Sequence, residues 1–426
     1  MTKDNPKYSA FISILEEELV PAMGCTEPIA LAYCAAKARE VLGQLPDKVV
    51  IGASGSIIKN VKSVIVPNTD HMKGIPAAAA AGIVAGDPGK ELEVIASVTP
   101  EQIKAMRSFL ETVPMTVEHV DNGLTFDIIV TLYKGNEYAK VRIVNYHTNI
   151  VLVEKNGETL LELEVEGEDE SGLTDRSCLN IADILDFAES VDVKDIAEIL
   201  HRQIRYNTAI AEEGLRGDYG SNIGSILLQT YGDQSVMVRA KAMAAAGSDA
   251  RMNGCELPVI INSGSGNQGM TTSLPVIEYA KELNATEEKL LRALAVANLV
   301  TIHQKTSIGR LSAFCGAVSA GAGAGAGIAY LLGTDLDGIS HTVANAIATT
   351  GGIVCDGAKA SCASKIATAV EAGILGYNMH IRNQNFRPDD GLVGDSPEET
   401  IANIGRLGKQ GMKATNEEII KIMVGE

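Results

Sequence analysis

Apolar residues recur at helical spacing near the start of the chain. Phe11, Ile14, Leu15 and Leu19 share one face of a helix predicted over 8–20. Pro21-Ala-Met-Gly24 stops it, and Thr26 is placed to cap a second helix continuing over 29–42, with Pro28 in the tolerant first turn. The pattern changes after Leu45. Residues 48–54, 61–66 and 91–98 read as strands, while 75–84 and 100–110 read as helices. Four more strand signals follow at 124–132, 138–146, 150–153 and 160–165, separated by turns that include the hairpin dipeptide Asn156-Gly157. Glu166-Gly-Glu-Asp-Glu170 reads as a solvated linker. From Thr174 on, helical spacing dominates, most clearly over 181–200, 235–246, 287–301, 339–348 and 363–375. These elements predict an α+β fold. A mainly helical, Gly/Ala-rich body is built from residues 1–45 and 171–426, and a smaller α+β domain containing a β-meander is inserted at 46–170.

Composition refines this picture. Among 426 residues there are 42 Gly, 6 Phe and no Trp, which points to closely packed helices rather than an aromatic core. Residues 311–334 carry no charge, yet Gly321-Ala-Gly-Ala-Gly-Ala-Gly327 lacks the Leu/Ile/Phe density of a membrane span, so a buried thin-waisted helix is expected. The net charge of −18, with no basic stripe, argues against nucleic acid as a partner. The odd count of 7 Cys and an N-terminus without a signal-peptide core lead to the expectation of a cytoplasmic protein with reduced thiols. Gly/Ala-faced helices permit close packing within or between subunits, so a homo-oligomer is compatible with the sequence.

The candidate chemistry lies in a few short stretches. Cys355 and Cys362 are seven residues apart. On one unbroken helix they would stand roughly 10 Å apart along the axis, so if they act together the turn dipeptide Asp356-Gly357 must break the chain between them. Cys362 would then lie in the first turns of the next helix, where the dipole favours a thiolate. Cys315 stands upstream, and no ferredoxin spacing is present. By spacing alone, each of these cysteines reads more readily as a small buried residue than as a ligand. Cys25 precedes a helix start, a setting that would lower its pKa. Asn262-Ser-Gly-Ser-Gly-Asn-Gln-Gly269 is a glycine-rich loop suited to a carboxylate, with Asn267 and Gln268 as neutral donors and Ser263 beside them; a plain turn fits the glycines as well. His303 and Lys305 close a helix, either as further substrate contacts or as partners of its dipole.

Three blocks in order, Gly24-Cys-Thr-Glu-Pro-Ile-Ala30, Gly309-Arg-Leu-Ser-Ala-Phe-Cys-Gly316 and Cys355-Asp-Gly-Ala-Lys-Ala-Ser-Cys362, resemble the signature blocks of the L-cysteine desulfidase family, which is related to the α chain of iron–sulfur L-serine dehydratase. The resemblance runs over nearly the whole chain. It implies that Cys315, Cys355 and Cys362 hold a [4Fe-4S] cluster with one open iron and that Cys25 accepts the substrate's Cα proton. The implied activity is elimination of L-cysteine to sulfide, ammonia and pyruvate without pyridoxal phosphate. Three alternatives remain: the same machinery acting on L-serine or a related β-substituted amino acid, a non-catalytic metal- or small-molecule-binding protein, and an ordinary thiol enzyme without metal.

Overall fold

The computed structural model describes residues 1–165, 173–309 and 311–424. The acidic stretch 166–170 and Arg310 lie outside the described residues. The fold is α+β with a mainly helical body. After α1 (Pro6–Glu18), the short strand β1 (Pro21–Met23) and α2 (Thr26–Leu42) come β2 (Lys48–Ala53), α3 (Gly55–Val61), α4 (Gly74–Ala85) and α5 (Pro100–Thr112). Then follow β3 (Met115–His119), β4 (Asp127–Lys134), β5 (Glu137–Val144), β6 (Ile150–Lys155) and β7 (Glu158–Glu162).

Six of these strands form one sheet in the order β3-β2-β4-β5-β6-β7. β4 to β7 is the expected antiparallel meander, while β2 and β3 run parallel. A parallel pair needs a long crossover, supplied here by α3, α4 and α5. Register places Ile51, Val130, Val141 and Val153 in one row across four strands, all buried. Each such side chain contributes about 1.5–3 kcal/mol through burial. α2 packs on β4 and β5 and against α4. Gly82 makes the approach of α4 possible, since a Cβ there would lie 2.0 Å from the Ala32 carbonyl oxygen of α2.

Two predicted strands are not strands. Residues 61–66 leave α3 and run irregularly, with a single bridge from Ile65 to Lys73, and 91–98 begin in a 3₁₀ segment (Pro88–Glu93). Their apolar side chains Val64, Val66, Val94 and Ile95 are all buried, so it is burial and not strand pairing that their hydrophobicity serves. The predicted helix 181–200 is two helices, α6 (Ile181–Ser190) and α7 (Lys194–Arg216), parted where Val191 turns extended.

The helical body continues with α8 (Ile223–Tyr231), α9 (Val236–Met252), strand β8 (Pro258–Ile260), α10 (Gly266–Glu282), α11 (Glu287–Ile308) and α12 (Gly316–Leu331). It ends with α13 (Leu336–Thr350), α14 (Cys362–His380), α15 (Pro397–Arg406) and α16 (Lys413–Val424). The Gly-Ala run forms α12, almost wholly buried, and its glycines alternate between two neighbours. Cβ atoms at Gly321 and Gly325 would lie 2.3 Å from the Ala369 oxygen and 2.7 Å from the Gly373 oxygen of α14; one at Gly327 would lie 2.9 Å from the Ala293 oxygen of α11. Backbone-to-backbone packing of this kind holds α12 rigidly against both helices. No helix among the described residues is long and apolar enough to cross a membrane.

Candidate active site

Segments distant in sequence meet at one cavity of about 100 Å³, lined by Cys25, Cys315, Cys355 and Cys362 together with Glu27, Asn60, Arg251, Asn267, Gln268 and Lys305. Simple pairings bring them there. β1 and β8 are antiparallel, which sets the start of α2 beside the loop that leads into α10. Thr26 Oγ1 then donates to the Gly264 carbonyl at 2.8 Å. That loop is a tight turn closed by reciprocal backbone bonds between Asn262 and Ser265, with Ser263 and Gly264 in the left-handed region. Asn267 and Gln268 follow in the first turn of α10.

The other three cysteines are placed by a two-residue bridge and by helix packing. Phe314 pairs with Val354. The Cys315 amide donates to the Ile353 carbonyl at 3.0 Å and the Cys355 amide to the Ala313 carbonyl at 2.6 Å. Beyond Cys355 the chain turns at Gly357 (φ +95°), where the Asp356-Gly357 break is expected, and Cys362 opens α14. The contact between α12 and α14 therefore fixes Cys315 relative to Cys362.

Helix starts and cations surround the sulfurs. Cys25 and Cys315 cap the N-termini of α2 and α12, and Cys362 is the first residue of α14. Each start presents unpaired N–H groups and the positive end of a dipole. Lys59 Nζ donates to the Cys355 carbonyl at 3.2 Å, and Asp356 pairs with Lys359 at 2.5 Å and with Lys365. Those two lysines overcome the burial of Asp356 and hold it at about 2.

Burial nonetheless dominates the thiols. It pushes Cys315 up to about 12, reinforced by the neighbouring Cys355, and it raises Cys362 against the pull of the Lys359 backbone N–H. Cys25 is raised well above the ordinary thiol range, first by burial and then by the charge of Glu27. This reverses the expectation that a helix start would leave Cys25 a thiolate, because the desolvation penalty exceeds the dipole's help. Cys25 also takes the cap position itself, one residue before the expected Thr26. Its thiol donates to Glu27 Oε2 at 3.0 Å. Glu27 is held by Thr26 Oγ1 at 3.2 Å and by Asn60 Nδ2 at 3.0 Å. Burial pushes its carboxyl up, but the charge of His147 and the Cys25 hydrogen bond bring it below the usual range.

A model of the serine dehydratase alpha chain matches residues 89–421. The chain belongs to the serine dehydratase alpha chain family. It is 58% identical over 426 residues to a UPF0597 protein of Desulfitobacterium hafniense, covering 100% of this chain and 99% of that one. It is 53% identical over 417 residues to a UPF0597 protein of Lachnoclostridium phytofermentans, covering 98% and 100%, and 46% identical over 429 residues to one of Treponema denticola, covering both in full. The family points to an enzyme of dehydratase or lyase type, and serine dehydratases of this kind are generally iron–sulfur dependent.

The donor set of this family member suits such a cofactor. No three His, Cys, Asp or Glu side chains among the described residues converge closely enough to chelate a single metal ion. Cys315, Cys355 and Cys362 are half-buried residues standing around one cavity, soft ligands of the kind that hold the separate corners of an iron–sulfur cluster. The adjoining helix starts and lysines offset the charge that three thiolates would bring.

Of the residues singled out in the sequence, Cys25, Cys315, Cys355, Cys362, Asn267, Gln268 and Lys305 line the cavity. Ser263 lines a neighbouring cavity that shares Lys305 and Leu311 with the first. The His303 ring is paired with Glu398 at 2.7 Å and lines neither. Cys34, Cys178 and Cys255 stand outside both. Sequence reasoning passed over Glu27, Asn60 and Arg251. Glu27 alone had a signal, its place in the block Gly24–Ala30.

Proposed function

We propose that the protein is an iron–sulfur-dependent lyase, needing no pyridoxal phosphate, that eliminates the β-substituent of a small L-amino acid. L-cysteine is the leading substrate: with one water it yields hydrogen sulfide, ammonia and pyruvate. The reading is carried by one observation, the convergence of four cysteines from distant segments on a single cavity. Cys315, Cys355 and Cys362 would hold the cluster, which would supply a Lewis acid to the substrate.

The chain's own groups handle the proton. Cys25 is buried and protonated at rest, so its sulfur takes the Cα proton in the same step as its S–H proton moves to Glu27, 3.0 Å away. Asn60 and Thr26 keep the Glu27 carboxylate aimed at that thiol. The β-substituent departs with its bonding pair and takes up the proton held by Glu27, which restores the pair and leaves an enamine that tautomerises and hydrolyses to pyruvate and ammonia. Asn267, Gln268 and Lys305 bring polar groups to the same cavity for the substrate's charged ends.

L-serine is the second reading, favoured by the family's description. Anaerobic reconstitution followed by assay of pyruvate from each amino acid, with sulfide from L-cysteine, tests both. Release of neither product from L-cysteine refutes the desulfidase reading, and absence of pyruvate from every β-substituted amino acid refutes the lyase.

A further inference from the structure

Arg251 is 2% exposed and ends α9 at the wall of the cysteine cavity, where the proton chemistry has no use for it. Its Nη1 donates to Asn267 Oδ1 at 3.1 Å. Nε and Nη2, which share one edge of the guanidinium, have no hydrogen-bond partner. Two adjacent buried donors left unpaired are costly unless a ligand fills them. The acid that shares the cavity, Glu27, already gives its oxygens to Cys25, Thr26 and Asn60. The chain also makes room for this edge, because a Cβ at Gly266 would lie 2.4 Å from Arg251 Nε. A second unpaired group lies in the same wall: Gln268 is 6% exposed and its Oε1 has no partner.

A paired N–H edge is the geometry that takes a carboxylate through two parallel bonds. A lone buried carbonyl oxygen is an acceptor for an N–H donor. Together they are the complement of a zwitterion. We propose that Arg251 is the receptor for the substrate's α-carboxylate and that Gln268 accepts a hydrogen bond from its α-ammonium. Resting on the amino-acid lyase reading, this makes the protein selective for free α-amino acids over their amides, esters and decarboxylated amines. Arg251 acts on binding and orientation, and the proton chemistry stays with Cys25 and Glu27.

The test uses anaerobically reconstituted holoprotein and L-alanine, which carries no β-leaving group, against L-alaninamide, with affinities measured by calorimetry. The wild type should bind L-alanine roughly ten- to a hundredfold more tightly than the amide, the range of one charge-assisted hydrogen-bonded contact. Arg251→Met should bring the two ligands to within about threefold of each other, weakening the acid and sparing the amide. Arg251→Lys, which keeps the charge and loses the fork, should fall between. Gln268→Leu should weaken both ligands alike, since both carry the ammonium. Iron and sulfide content should equal the wild type's in every variant.

If Arg251→Met keeps the wild-type discrimination, Arg251 is not the receptor. If the variant loses iron in step with binding, Arg251 is a counter-charge to the cysteines and the inference falls. If the iron-replete wild type binds neither ligand and turns over no amino acid, the lyase reading itself fails and the inference with it.

Discussion

Replacing Glu27 with glutamine decides whether Cys25 works alone or in a pair, because the two possibilities predict rate changes of opposite sign. The Cys25 sulfur lies 3.0 Å from Glu27 Oε2. A unit negative charge at that distance opposes a thiolate by about 1.4 kcal/mol in a water-like dielectric and by about 5.5 kcal/mol at an effective dielectric of 20. Removing it should therefore lower the Cys25 pKa by at least about one unit. If a pre-formed Cys25 thiolate were the whole base, Glu27→Gln would raise its population at neutral pH by about tenfold or more and speed the reaction. If the thiol proton passes to Glu27, the substituted amide has nowhere to put it, and kcat should fall by about 10²–10⁴-fold.

The assay is pyruvate release, together with wash-in of solvent deuterium at Cα of unreacted substrate, on holoprotein of wild-type iron content. Asn60 and Thr26 can still bond the side-chain amide that Glu27→Gln introduces, so folding should survive. The wild-type rate should stay level across neutral pH, since the paired base starts from a protonated Cys25 and an ionised Glu27 and only moves a proton within the pair. A Glu27→Gln enzyme as fast as the wild type or faster refutes the paired base, as does a wild-type rate that climbs with pH as Cys25 ionises.

Replacing Cys315, Cys355 or Cys362 by Ser should each lower iron and acid-labile sulfide after reconstitution, whereas Cys25→Ser should keep both and lose turnover; elemental analysis beside the pyruvate assay checks this. Gly321→Val sets a side chain where even a Cβ would lie 2.3 Å from the Ala369 oxygen; it should cost about 1–3 kcal/mol by overpacking, seen as a lower melting temperature, and reduce iron content as α12 and α14 part. Burial raises the Asp249 carboxyl to about 6, so the fold binds its proton more tightly than the unfolded chain. Its contribution is favourable below the ordinary value near 4 and is lost as pH rises toward 6. Asp249→Asn should flatten that pH dependence and raise the melting temperature at about pH 7.5.

The sequence patterns that proved legible are those with one dominant cause. Helical periodicity over 287–301 and 363–375 reflects helices with a long buried face, and the turn dipeptides between β4 and β7 mark a simple meander. Local pattern failed where tertiary contact decides. Val64, Val66, Val94 and Ile95 look like strand residues because they are buried, yet they pack from irregular chain. β3 went unseen because its residues are mostly exposed at a sheet edge, with Glu118 and His119 among them. At the site, the order of the blocks pointed to the cysteines, but nothing local could show that burial outweighs a helix dipole at Cys25. Arg251 was hidden for the same reason: a charge in the last turn of a helix reads as a dipole partner until its neighbours are known.

The cavity collects its groups from places the chain can barely move. Cys315 and Cys362 each sit at the start of a helix, and those helices touch backbone to backbone through Gly321, Gly325 and Gly373. Cys355 is tied to Cys315 by the bridge at Phe314 and Val354, and Cys25 to the α10 turn by Thr26. The Gly/Ala richness that first suggested close helix packing is thus what sets the spacing between thiols: side chains larger than hydrogen at 321 or 325 would separate two of the three ligands. Glu27, Asn60 and Arg251 enter the same wall from α2, α3 and α9, so the proton acceptor and the unpaired guanidinium edge are positioned by the same close packing as the sulfurs.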